Sequence, residues 1–81
     1  MLNLNDLHLF AVVAEAGGFT AAARLLGIPK QTLSKRIAAL ERTTGVRLIQ
    51  RTSRSFAVTE VGRDVLRHAA AMLVEAGRPK R

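Results

Sequence analysis

The chain contains no cysteine. Disulfides and thiolate–metal sites are therefore excluded. Nowhere do ~18 apolar residues run together, so the sequence offers no transmembrane segment. Its start, "MLNLNDLHLF", is mixed in character and lacks the basic region, apolar run and cleavage site of a secretory signal. Acidic residues are scarce: six Asp and Glu stand against thirteen Lys and Arg, for a net charge of +7. Those six are scattered at helix starts and surfaces. His8 and His68 lie far apart, with no paired carboxylate at ligand spacing, so no metal or other cofactor is expected. The "GG" at 17–18 lacks a following Lys-Ser or Lys-Thr and is not a phosphate-binding loop. No helix sets a strongly basic face against Trp or Phe, which argues against a membrane-surface role. These absences exclude an enzyme and leave the charge to be explained. An excess of this size favours a polyanion, nucleic acid first.

What is present is 81 residues, 48% of them hydrophobic, which makes one domain small enough to gain from association with a partner. Leu4, Leu7, Phe10, Ala11 and Ala14 recur at three and four, predicting a helix over about 4–16, capped by Asn3 or Asn5 and stopped at the glycine pair. Thr20 suits the N-cap of a short helix, "AAARLL", ended by Gly27. "IPK" then opens a third helix, with proline in the first turn. That helix runs to about Thr43, and Gly45 ends it. Only "GIP" separates the second and third helices, the spacing of a helix-turn-helix. "VRLIQR" and "FAVT" are short β-type runs around "TSRS", and a last helix runs from Thr59–Glu60 to about Ala76. The expected fold is mainly α: a winged helix-turn-helix over 1–59, then a linker or dimerisation helix and basic tail over 60–81.

The third helix carries the sharpest pattern. Leu33, Ile37, Leu40 and Thr44 share one face, while Gln31, Lys35, Ala38 and Arg42 fall on the other, about 140–200° from Leu33, with Ser34 at the border. Lys30 and Arg36 add charge, and no acid occurs over 30–40. Gln, Lys, Arg and Ser are the side chains that read base edges, and a small residue mid-stripe permits close approach to a groove. The N-terminal end of such a helix is where base contacts are made. In the turn, "RTSRS" places Arg51 and Arg54 among hydroxyls, Thr52 included, suited to a minor groove or to phosphates. On the last helix Val61, Val65, Leu66, Ala69, Met72, Leu73 and Ala76 make an apolar face broader than one small domain needs. A twofold partner would bury it. Gly62 in the first turn of that helix costs ~1 kcal/mol relative to Ala, which a close backbone approach to the hairpin would explain. Glu41, beside the core face, is expected to pair within the domain.

These residues resemble a family. The stretch from "FAVVAEAGGFTAAARLLG" through "RTSRSFAVTEVG" is similar to the DNA-binding domain of LysR-type transcriptional regulators. Phe10, "GFTAAA", Leu26–Gly27, Leu33–Ser34, Ile37, "LE" at 40–41, "GVRL" at 45–48, Arg51, Thr52 and Arg54, and Thr59, Glu60 and Gly62 all fall in register. The resemblance implies that Lys30, Gln31, Ser34 and Lys35 contact bases and nearby phosphates. It puts Arg54 at the minor groove and makes Thr20, Thr32 and Arg51 backbone-contact candidates. It further implies a homodimer, paired through the last helix, on double-stranded DNA carrying an interrupted inverted repeat; a cytoplasmic, nucleoid-associated protein fits the lack of cysteine and of a secretory signal. The family's commoner pattern has Ser where this chain has Gly18, and Gln followed by Pro or Ser where it has Lys30 and Gln31, so base preference is expected to differ. No counterpart of the family's effector-binding domain lies in these 81 residues. Two rival readings use the same features: a nucleoid-type binder without sequence preference, and an interaction module that pairs with full-length regulators through the last helix.

Overall fold

The computed structural model describes residues 3–50 and 55–75, the last four by backbone alone. Four helices follow one another: α1 (Leu4–Ala16), α2 (Phe19–Leu26), α3 (Lys30–Thr44) and α4 (Glu60–Glu75). α1 begins where Asn3 Oδ1 accepts the Asn5 N–H at 2.8 Å, filling one of the free donors of a helix start. α2 starts earlier than the Thr20 cap predicts. Gly18 is the capping residue, its carbonyl accepting the Ala22 N–H, and Thr20 lies exposed within the first turn. This start draws Phe19 into the helix, where its ring meets Phe56 edge-on at 6.2 Å between centroids.

The turn between α2 and α3 is as short as the sequence suggests. Gly27 takes a left-handed conformation, φ 71°, which a residue with a Cβ adopts only under strain. The N–H groups of Gly27 and Ile28 both return to the Ala23 carbonyl, satisfying one of the free carbonyls at the end of α2. Pro29 stands one residue ahead of α3 as its cap, not inside the first turn.

Leu7, Leu9, Phe10 and Val13 of α1, Ala22 and Ala23 of α2, and Leu33, Ile37 and Leu40 of α3 form the core with Leu48 and Ile49. α1 is the central helix: α2, α3 and α4 each pack on it. Among the described residues the two predicted β-runs meet in one antiparallel bridge, Ile49 with Val58. It is flanked by Gln50 N–H to the Ala57 carbonyl at 2.9 Å and Thr59 N–H to the Leu48 carbonyl at 3.0 Å. So short a ladder gains its stability from the helices beneath it. Phe56 and Val58 pack against the core. The Gly62 prediction is met: a Cβ there would lie 2.5 Å from both the Leu48 carbonyl oxygen and Val58 Cγ1.

Candidate nucleic-acid interface

α3 is held by its inner side, where Leu33, Ile37 and Leu40 are almost wholly buried. That burial fixes which side chains point outward. Lys30, Gln31, Thr32, Ser34, Lys35 and Arg42 are all exposed, and Ala38 is half-buried between them. The periodicity therefore placed the stripe correctly. Its first two turns carry donors with no carboxylate among them, and the small Ala38 leaves the middle of the helix flat. Such a surface attracts phosphate and lets donors reach an edge-on ligand. At the far end of α3, Arg42 and Arg47 border a shallow depression with Ala38, Glu41, Gly45 and Val46.

Two charged residues near this face act inward. Arg36 is half-buried, and its Nε donates to Asp6 Oδ1 of α1 at 2.9 Å. The sequence groups Arg36 with the outward cations; the structure ties it to the scaffold. Asp6 stands in the first turn of α1, one of the acids expected at helix starts, and is buried. Glu41, expected to pair within the domain, does so. Its Oε2 accepts the Leu48 N–H at 2.8 Å and the Ile49 N–H at 3.1 Å. This turns the acid that precedes Arg42 toward Leu48 and Ile49. The Thr44 hydroxyl folds back on the Leu40 carbonyl at 3.0 Å, as a side chain at the core border should.

Arg51, Thr52 and Arg54 of the predicted turn lie outside the described residues, as do Ala76 and the side chains of Met72 and Leu73. Of the remaining apolar residues on α4, Ala69 is buried, and Val65 and Leu66 are half-buried against the domain's own core. Val61 is 43% exposed. The inward direction of α4 is centred between Gly62, Val65, Leu66 and Ala69, which leaves Val61 roughly 90° away. An open groove runs between α1 and α4, lined by His8, Ala11, Val12, Glu15, Leu66, Arg67 and Ala70. No cluster of three His, Cys, Asp or Glu occurs among the described residues. No helix there is long and apolar enough to cross a membrane.

Comparison with known proteins supplies a context for this arrangement. Residues 4–63 match the family described as bacterial regulatory helix-turn-helix protein, lysR family. The HTH-type transcriptional regulator DmlR of Escherichia coli (strain K12) is 43% identical over 74 residues, 91% of this chain but 24% of its own length. A probable hydrogen peroxide-inducible genes activator of Mycobacterium xenopi is 47% identical over 70 residues, 86% of this chain and 37% of its own length. Among solved structures, the BenM DNA-binding domain in its complex with catB site 1 DNA superposes with a TM-score of 0.88 at 33% identity, covering 93% of this chain and 81% of that one. Full-length AphB, a virulence activator of Vibrio cholerae, gives 0.84 at 33% identity over 93% of this chain and 26% of its own. The present chain thus spans about a quarter to about a third of the length of these two curated relatives.

Proposed function

Because the chain belongs to the LysR family of bacterial helix-turn-helix regulators, as its winged helix-turn-helix DNA-binding domain, we propose that it binds double-stranded DNA in a sequence-specific way as a homodimer. α3 enters the major groove, and residues 51–54, a turn by sequence, reach the minor groove. One observation carries this reading. The outward stripe of α3 presents Lys30, Gln31, Ser34 and Lys35 to solvent with no carboxylate among them, on the helix whose opposite face is locked into the core. Gln31 and Lys35 select bases through paired donors and acceptors. Thr20, Thr32, Arg42 and Arg51 hold phosphates, which fix register without carrying sequence. Arg54 and Thr52 serve the minor groove. A second copy pairs along α4, where the apolar groove against α1 remains open; Val65, Leu66, Met72, Leu73 and Ala76 supply the remainder. Ala69, already buried, supports that face from beneath.

The test is selection from a randomised duplex pool at rising salt, with the survivors sequenced. An enriched interrupted inverted repeat is the expected outcome. Retention without any motif would leave only phosphate binding, and no retention at any salt would remove DNA from the reading altogether.

A further inference from the structure

Three residues at the base of the wing, Arg47, Leu48 and Ile49, are fastened from two sides. From α3, Glu41 accepts the Leu48 and Ile49 N–H groups. From the start of α4, the Thr59 hydroxyl donates to the Arg47 carbonyl at 2.7 Å and accepts the Gly62 N–H at 2.9 Å. The Thr59 N–H donates to the Leu48 carbonyl. The bare Cα of Gly62 lets α4 begin against that same carbonyl. Among the described residues α4 packs on α1 and on neither α2 nor α3. The backbones of the helix that carries the donor stripe and of the helix that carries the apolar face therefore stay apart. The segment 47–49 is their short connection, hydrogen-bonded at both ends.

We infer that Thr59 and Glu41 are positioning residues for the separation between half-sites. In a twofold dimer, the distance between the two recognition helices follows from the angle between α3 and α4 in each copy, and half-site spacing is its geometric consequence. With the Thr59 hydroxyl and the Glu41 carboxylate in place, that angle has one value. Without them the start of α4 shifts against the α1–α3 core, and the dimer accepts more than one spacing, while the side chains that read each half-site are untouched. The inference rests on the dimeric reading above.

The 81-residue chain and its Thr59→Val, Thr59→Ser and Glu41→Gln variants are titrated on the selected repeat, on the repeat with one base pair added or removed between half-sites, and on a single half-site. Thr59→Val keeps the side chain's shape and removes the hydroxyl. The wild type is expected to lose at least about tenfold in affinity when the spacing changes. Thr59→Val should lose less than about threefold with unchanged base preference in each half-site, and Thr59→Ser should behave as wild type. A Thr59→Val chain that folds and keeps the full spacing penalty overturns the inference. Should Thr59→Val lack native helical circular dichroism, Glu41→Gln decides, and a retained penalty there overturns it equally. A wild type indifferent to spacing overturns the dimeric reading and the inference with it. The two failures are distinct, because the first is seen only in the variants.

Discussion

Lys35 and Asp6 are opposite kinds of charged residue, and each carries a prediction. Lys35 is exposed on the stripe, with no hydrogen bond or ion pair to another described residue. On the proposed reading, Lys35→Ala relaxes base preference at one position by ~1–3 kcal/mol and leaves the melting temperature in place. Binding to a panel of single-base operator variants would reveal the difference; an unchanged preference would remove Lys35 from base reading. Arg51→Ala should instead weaken all sequences about equally. Asp6 is buried against Arg36, whose side chain keeps 43% of its exposure, so solvent screens part of their attraction. Asp6→Ala should cost about 1 kcal/mol, a fall of ~4–8 °C in Tm for a domain of this size, measured by thermal unfolding. The stripe was legible in the sequence because Gln31, Lys35 and Arg42 are fixed by helix period alone. The Asp6–Arg36 pair was not, because thirty positions separate its members and only the crossing of α1 over α3 brings them together. An acid in the first turn of a helix reads equally well as a partner for the helix dipole.

At the scale of elements, helix existence followed from periodicity, and the ends followed wherever glycine or asparagine set them: Asn3 for α1, Gly27 for α2, Gly45 for α3. The start of α2 was misplaced because Thr20 is a good cap in isolation, whereas the glycine pair already turns the chain and the Phe19–Phe56 contact gains from an earlier start. Val61 belongs to the broad apolar face of α4 and stays exposed, because the close approach at Gly62 sets how the helix lies. Gly62→Ala is a sharp check on that account. In a free helix the change would stabilise by ~1 kcal/mol. Here the added methyl meets backbone, so the domain should lose about 1–3 kcal/mol. Denaturant unfolding measures it, and any gain in stability would show that α4 is free to shift.

For the whole molecule, charge and association give the expectations. A domain of net charge +7 that neutralises about four phosphates should lose roughly a hundredfold in affinity between 50 and 200 mM salt. Fluorescence anisotropy across that range gives the slope, and a flat response would refute phosphate-driven binding. A dimer that buries the apolar face of α4 should melt at higher temperature as protein concentration rises. A Tm independent of concentration would mean the helix serves its own domain alone. The central place of α1 bears also on how the chain is made. α1 is synthesised before α4, yet one of its flanks, with Ala11 and Val12, faces Leu66 and Ala70 of that later helix. Folding during synthesis proceeds from the N-terminus, so α1, α2 and α3 can assemble on the ribosome with that flank bare. The nascent chain then carries an open apolar seam until α4 has left the exit tunnel, and a stall before residue 60 would release a three-helix intermediate prone to aggregate.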